Sequence, residues 1–376
     1  MTRIFFDNSA TTPLDPSVLQ RMTEVMASEY GNPSSIHAEG RRARALIEDA
    51  RKRVAKVLNC SIGELFFTSG GTEANNMVLK NAVRDLGVTR IISSPLEHHC
   101  VLHSLEAIGR AGQAEIEMVN VDRRGHVDLD HLAELLSTGD RARQTLVSLM
   151  HANNEIGTLL PLEEVANLCA DAGGRLHCDT VQTVGYYPID LAVTPIQFLS
   201  GSGHKFYGPK GAGFVYISND HQLKPYLDGG AQERNMRGGT ENLYGIIGLA
   251  TALELAEAQR EERAAQVLGL RNYLRDELRR AFPEVQFNGD PDNGHYKILS
   301  VSFPQSPKGE MLLMNLDMVG ISASGGSACS SGIDVGSHVV GHLHPDSLRH
   351  TIRFSLSHHN TREEVDYVVA KLAGML

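Results

Sequence analysis

Four short segments carry side chains that could do chemistry together. In Ser200-Gly201-Ser202-Gly203-His204-Lys205-Phe206-Tyr207-Gly208-Pro209-Lys210-Gly211, a lysine follows a strand-like run and sits in a Gly/Ser/His turn beside two aromatic residues. A lysine partly withdrawn from water has a lowered pKa and can form a Schiff base. The Ser202 hydroxyl and the His204 imidazole suit a phosphate. Lys210 is the rival amine, but its Gly-Pro-Lys-Gly setting reads as an exposed turn. In His177-Cys178-Asp179-Thr180-Val181-Gln182, an Asp closes a buried strand, which is costly unless it meets a cation or several donors. A protonated pyridine nitrogen is such a cation; a helix cap is the plainer alternative. In Phe66-Phe67-Thr68-Ser69-Gly70-Gly71-Thr72-Glu73-Ala74-Asn75-Asn76, a strand ends in a Gly pair and a helix follows. Free N–H groups at a helix start, with close backbone approach, make an anion site. A capped helix with no ligand fits that segment equally well.

The fourth segment holds a thiol. Ser324-Gly325-Gly326-Ser327-Ala328-Cys329-Ser330-Ser331-Gly332 is too rich in Gly and Ser to pack as a core strand or helix. It reads as a mobile loop that solvent reaches. The five cysteines are odd in number and scattered, with no Cys-x-x-Cys pair, so neither a disulfide framework nor a zinc ribbon fits. Cys60, Cys100, Cys169 and Cys178 read as small buried hydrophobes.

These segments need a scaffold, and the middle of the chain supplies its pattern. Short apolar runs at 64–68, 90–93, 115–119, 145–150, 175–178, 197–200 and 213–217 read as strands. Helical patterns over about 72–86, 99–109 and 162–172 fill gaps between them. Such alternation implies an α/β fold, a mostly parallel sheet covered by helices on both faces. From 241 to 280 the chain is rich in Ala, Leu, Glu and Arg and reads as long helix, continuous or broken. Residues 286–376 mix strands and helices as a smaller α+β unit. A chain of 376 residues suits one large and one smaller domain.

Composition excludes several classes. With 41% hydrophobic and 21% charged residues this is an ordinary globular chain. Its net charge of −10 argues against an electrostatic grip on nucleic acid or an anionic membrane. No apolar run approaches the ~20 residues needed to span a bilayer. Nor does Met1–Asp7 offer the apolar stretch of a signal peptide, so the expected location is the cytoplasm.

In content and chain order, the phosphate, pyridinium and lysine segments resemble fold-type I pyridoxal 5'-phosphate (PLP) enzymes of the class V aminotransferase group. The resemblance narrows to cysteine desulfurases on Asp7-Asn8-Ser9-Ala10-Thr11-Thr12-Pro13, Tyr30-Gly31-Asn32-Pro33-Ser34-Ser35 and Glu97-His98-His99. Met150-His151-Ala152-Asn153-Asn154-Glu155-Ile156-Gly157, Met236-Arg237-Gly238-Gly239-Thr240 and the Ser-Ala-Cys-Ser-Ser loop extend it over about residues 5–370. It implies a seven-stranded-type sheet in a large domain at 15–258, with 1–14 and 259–376 forming the small domain that carries Cys329. It further implies that Lys205 is the imine lysine and that Asp179 meets the pyridine nitrogen. His98 would stack on the ring as acid/base, and Gln182 would bond the ring oxygen. Thr72, Ser202 and His204 would hold the phosphate, with Gly71 giving backbone approach. Thr240 would reach the phosphate of a neighbouring subunit, hence a homodimer. Asn154 and Arg353, the latter between Ile352 and Phe354, would hold the carboxylate of L-cysteine; a bidentate Arg fork suits a carboxylate. The Cys329 thiolate would take the substrate sulfur as a persulfide, leaving alanine, and pass it to an acceptor protein.

Some alternatives stay open on the sequence. A selenocysteine lyase or another class V enzyme would use the same cofactor residues but leave Cys329 without a task. A silent relay subunit would lack Lys205 or Cys329, and both are present. The loop reads Ser-Gly-Gly-Ser-Ala-Cys where the family has Ser-Ser-Gly-Ser-Ala-Cys, and the catalytic Cys is intact. The chain ends soon after its last helix, whereas relatives serving an iron–sulfur scaffold often carry a longer tail, so the acceptor stays open. His338 and His342 have the i,i+4 spacing of a zinc pair. With His344, His350, His358 and His359 they nevertheless read as a solvated surface, and no metal is expected within the chain. The resemblance also allows Cys329 to share an iron–sulfur cluster briefly with a scaffold.

Overall fold

Short apolar runs bounded by Gly, Ser and Pro become strands, and the longer periodic runs become helices. The computed structural model describes residues 3–137, 144–307, 309–325 and 336–376. The chain opens with β1 (Ile4–Phe5), α1 (Pro16–Ser28), α2 (Ala38–Leu58), β2 (Leu65–Thr68), α3 (Gly71–Leu86), β3 (Arg90–Ser93) and α4 (His99–Arg110). It continues through β4 (Glu115–Met118), α5 (Leu129–Leu136), β5 (Thr145–Met150), α6 (Leu162–Asp171), β6 (Arg175–Asp179), β7 (Phe198–Ser202) and β8 (Gly213–Ile217). Next come α7 (Leu243–Ala258), α8 (Arg260–Ala281), β9 (Gln286–Asn288), β10 (Ile298–Phe303), α9 (Leu312–Met318) and β11 (Ile321–Ser322). The last elements are α10 (His338–Leu343), β12 (His350–Ser355) and α11 (Arg362–Met375).

The order in the main sheet is β2-β8-β7-β6-β5-β3-β4. Pairings from β7 across to β4 are all parallel, and β8 runs against both of its neighbours. The mostly parallel α/β architecture expected from the sequence is therefore present, with β8 as its reversed strand. Every residue of β2, β3, β7 and β8 is buried, as a sheet covered on both faces requires. At the edge, β4 is partly exposed and carries Glu115 and Glu117, charges that discourage further pairing.

The expected helix over 241–280 is two helices, broken at Gln259 (φ −112°). The first of them, α7, is largely apolar around its circumference and mostly buried, with α1 and α2 packed on it. Burying Leu243, Ile246, Ile247, Leu249 and Leu253 stabilises by roughly 1.5–3 kcal/mol per side chain. In α2, the buried positions Ala43, Ile47, Ala50, Val54 and Leu58 recur every three or four residues, and Asn59 closes the helix in the left-handed region.

A second, three-stranded antiparallel sheet has the order β12-β10-β9. The N-terminal segment joins this region: β1 pairs in parallel with β11, and Asp7 bridges to Ser355. Among the described residues no helix is long and apolar enough to cross a membrane.

Candidate active site

In a parallel sheet, loops at the carboxyl ends of the strands gather on one side, where ligands bind. Here β2, β3, β5, β6 and β7 end towards a single cavity of about 210 Å³. Gly71, Thr72, His98, Asn154, Asp179, Gln182, Ser202, His204, Lys205 and Arg353 all line it. Thr240 does not; it is exposed in a separate cleft with Arg237 and Gly211. Lys210, the rival amine, is exposed and outside the cavity. Cys329 lies outside the described residues.

Lys205 ends a single 3-10 turn, Gly203–Lys205, in the loop from β7 to β8. Its Nζ donates to the Ser9 and Ala10 carbonyls, both at 2.7 Å. The loop is fastened to the N-terminal segment: Thr12 donates through its N–H (2.9 Å) and hydroxyl (3.0 Å) to the His204 carbonyl. Thr12 Oγ1 in turn accepts from the Tyr207 N–H at 2.7 Å. The Tyr186 hydroxyl donates to the Lys205 carbonyl at 2.6 Å. His204 Nδ1 lies 3.1 Å from Thr11 Oγ1. Burial, reinforced by the Lys205 and Lys210 charges, pushes the His204 imidazole down to about 4, so it is neutral at neutral pH.

Asp179 is the last residue of β6. Its Oδ1 accepts from the Val181 N–H (2.9 Å) and its Oδ2 from Asn75 Nδ2 of α3 (2.6 Å). Gln182, three residues on, donates from Nε2 to the Ser9 carbonyl at 3.0 Å, while its buried Oε1 has no partner. An amide has two N–H donors, so one remains for a ligand.

The start of α3 carries no side-chain cap, and Gly70 before it has φ +155°, which favours glycine. A Cβ at Gly71 would stand 2.5 Å from Val181 Cγ2. Val181 is β-branched and stiff at χ1, so the first turn of α3 must move instead. Gly71→Ala should therefore weaken PLP binding by about tenfold, since overpacking of this kind costs roughly 1–3 kcal/mol. Fluorescence titration of the apoprotein with PLP measures this, and unchanged affinity would contradict the cradle.

His98 is the N-cap of α4, accepting the Cys100 N–H on Nδ1 at 3.2 Å. Burial lowers its pKa; the Asp179 carboxylate opposes that effect and the Lys205 charge adds to it. Arg353 is buried in β12 rather than forming a surface salt bridge. Its Nη1 donates to the Asn154 carbonyl (2.8 Å) and its Nη2 to Asp7 Oδ1 (2.7 Å). Of the guanidinium's five N–H donors, these two bonds use two.

Several residues of the site were not foreseen. Ser9 and Ala10 contribute backbone carbonyls, which no side-chain pattern announces. Asn75 steadies Asp179 from another element. Cys100 corrects an expectation: it is half-buried and lines the cavity, with Sγ 3.0 Å from His98 Nδ1. Cys169 and Cys178 are buried core residues as expected, and Cys60 is half-buried. Behind the site, Lys297 is fully buried with Nζ 3.8 Å from the Tyr186 ring centroid. Burial first, then the Lys205 and Arg353 charges, drive its amine well below the usual lysine range. Among the described residues no group of three or more His, Cys, Asp or Glu could hold a metal ion.

The donor set fits PLP. It offers an uncapped helix start opened by glycine for the phosphate, a carboxylate at the far side, and an orphaned amide oxygen on Gln182. A lysine whose Nζ donates to two backbone carbonyls completes the set.

The aminotransferase class-V family matches residues 4–368. The cysteine desulfurase IscS of Dictyoglomus turgidum is 40% identical, covering 99% of this chain and 94% of that protein. The cysteine desulfurase NifS of Azotobacter vinelandii is 39% identical over 99% of this chain and 92% of its own. A solved NifS-like protein superposes with a TM-score of 0.91 at 36% identity, covering 99% of both chains. With its fold, its cavity and its full-length likeness agreeing, the chain belongs to the class-V aminotransferase family and, within it, to the cysteine desulfurases.

Proposed function

We propose that this enzyme takes sulfur from L-cysteine, releases L-alanine, and holds the sulfur on Cys329 as a persulfide, with PLP bound in the cavity. The observation that carries this reading is the convergence of Lys205, Asp179, His98 and Arg353 on one cavity of about 210 Å³. PLP bound there supplies an electron sink for the pair left when the substrate Cα loses its proton. The chain's own residues do the rest. Thr72, Ser202, His204 and the free N–H groups of α3 hold the phosphate. Asp179 keeps the ring nitrogen's proton, and Gln182 turns its remaining N–H to the ring oxygen. Lys205 is the covalent anchor. His98, which lines the cavity, would stack on the ring and move protons as a neutral imidazole. Arg353 and Asn154 orient the substrate carboxylate, using donors left after Asp7 is satisfied.

Cys329 then attacks the substrate sulfur as a thiolate, which is the nucleophilic form. The S–S bond forms and the C–S bond breaks. Its electron pair stays with the three-carbon skeleton, which takes up protons and leaves as alanine. The described residues flanking this segment support that role. Ser324 exchanges backbone hydrogen bonds with Arg353 (2.6 and 3.3 Å), and the Ser337 hydroxyl bonds Glu155, the neighbour of Asn154. Both flanks are thus fastened beside residues that line the cavity.

Within this reading the division is 15–258 for the large domain and 1–14 with 259–376 for the small one; the β1–β11 pairing supports joining the N-terminus to the latter. The enzyme works as a cytoplasmic homodimer, and the exposure of Thr240 away from its own cavity agrees with service to a partner's phosphate. The acceptor belongs to iron–sulfur assembly or to tRNA or cofactor thiolation.

The direct test is incubation of the PLP-loaded enzyme with L-cysteine and a thiol reductant. Alanine and sulfide should appear in equal amounts. Alanine from L-selenocysteine but none from L-cysteine would transfer the assignment to a selenocysteine lyase. Asp179→Ala should bind PLP poorly and slow turnover by on the order of 10²–10³, the cost of removing one preorganised charge partner. Turnover at the parent rate would reject the Asp179 role.

A further inference from the structure

We propose that Cys100 and Asn75 are positioning residues that tie His98 to Asp179 and hold the imidazole with its proton on Nε2. The inference deepens the proposed function, resting on His98 as its proton-moving group. Two independent constraints lead to it.

The first begins at Asp179, whose carboxylate can only accept. Its Oδ2 lies 2.6 Å from Asn75 Nδ2, which fixes which end of the Asn75 amide carries the hydrogens. The same Nδ2 stands 3.3 Å from Cys100 Sγ and gives it the amide's second hydrogen. The Thr72 hydroxyl also hydrogen-bonds this sulfur as a donor, so the sulfur is an acceptor on both of those sides and its own hydrogen points elsewhere. At 3.0 Å lies His98 Nδ1. A thiol hydrogen placed there requires Nδ1 to be unprotonated.

The second constraint comes from the helix. His98 caps α4, and the Cys100 backbone N–H donates to the same Nδ1 at 3.2 Å. A backbone amide can only donate, so Nδ1 accepts on this count too. The neutral ring must then carry its proton on Nε2.

A His–Cys contact can also be a thiolate–imidazolium pair, the arrangement of nucleophilic cysteines. The surroundings oppose it. Burial, with the Asp179 charge adding to it, pushes the Cys100 thiol up to about 12, and burial lowers the His98 imidazole. Both partners are neutral, which suits Cys100 to orient its neighbour and leaves nucleophilic work to another thiol.

The test is ¹⁵N NMR of ring-labelled holoenzyme without substrate, with the His98 signals assigned by loss in His98→Gln. The parent should show the neutral Nε2–H form through neutral pH. Cys100→Ala removes one donor to the neutral ring, so the His98 midpoint should rise by about half a pH unit, the equivalent of one weak hydrogen bond. Cys100→Ser restores a donor and should return the midpoint towards the parent. The charges that face His98 are Asp179 from β6, Lys205 from the β7–β8 loop, His99 on α4 and His338 on α10. All are unchanged in both variants, so the shift reports the thiol. An Nδ1–H parent ring, or equal midpoints in parent and Cys100→Ala, would overturn the proposal. The parent measurement needs no variant to fold. An Nε2–H ring in a protein that yields no alanine from cysteine would sink the proposed function and leave this inference standing.

Discussion

Lys205→Ala should give a folded protein that still takes up PLP but never bonds to it, with turnover lost. The phosphate cradle, Asp179 and Gln182 are contributed by other elements, so reversible binding should survive. Borohydride trapping followed by peptide mass spectrometry should find the cofactor's mass on the Lys205 peptide of the parent and on no peptide of the variant. Removing the group that bonds covalently to a reaction partner costs on the order of 10⁴–10⁶ in rate. The fold should tolerate the change. Lys205 Nζ bonds the Ser9 and Ala10 carbonyls, and water entering the cavity can replace it there. Lys210→Ala is the control: its side chain is exposed, and labelling and turnover should match the parent. Trapped cofactor on Lys210, or normal desulfuration by Lys205→Ala, would move the anchor and with it the whole cavity assignment.

The same loop shows what sequence can reveal and what it cannot. Arg90–Ser93, Thr145–Met150 and Gly213–Ile217 form strands with the limits read from their apolar runs, because each run is short and ends at polar or Gly-containing turns. The reversed direction of β8 was not legible. Strand direction is set by which segments pair, and the ten residues between Ser202 and Gly213 allow a return that no local pattern records. Among site residues, those with distinctive chemistry in a Gly-rich turn stood out, and Lys205, His204 and Ser202 line the cavity as expected. Ser9 and Ala10 did not, since they act through carbonyls. Nor did Asn75, which meets Asp179 from 104 residues away. Cys100 was misread for a physical reason. Its neighbours Val101 and Leu102 look like core, whereas the informative relation is to His98 two residues earlier. A side chain at an N-cap bonds N–H groups one turn into the helix, which places the second helical residue against it.

Cys329→Ser should separate the sulfur-transfer step from everything the described cavity does. The substitution changes one atom of the side chain, replacing a thiol, whose thiolate is the nucleophile, with an alcohol that is a poor nucleophile at neutral pH. PLP should bind with parent affinity, because the residues proposed to hold its phosphate, ring nitrogen and ring oxygen line the cavity from α3, β6 and the turns after β6 and β7. The spectral change on adding L-cysteine should persist as well, since Arg353 and Asn154, the residues proposed to orient the carboxylate, are untouched. Alanine release should fall by on the order of a thousandfold, because the C–S bond has no acceptor for its sulfur. Intact-mass spectrometry after one turnover should show the parent heavier by a single sulfur, mapped to Cys329, and the variant unchanged. The other thiols cannot substitute. Burial pushes Cys60 and Cys169 up to about 12 and Cys178 well above its ordinary value, so none of them offers a thiolate. Cys60→Ser and Cys169→Ser should accordingly keep parent turnover apart from a loss of stability at the buried Cys169. Cys100 is the informative exception, lying in the cavity beside Asn75 and His98 but kept a neutral thiol by burial and the Asp179 charge. Sulfur mapped to Cys100, or undiminished alanine from Cys329→Ser, would relocate the acceptor thiol. It would also overturn the neutral His98–Cys100 pair, because a sulfur-accepting Cys100 must ionise where burial now forbids it.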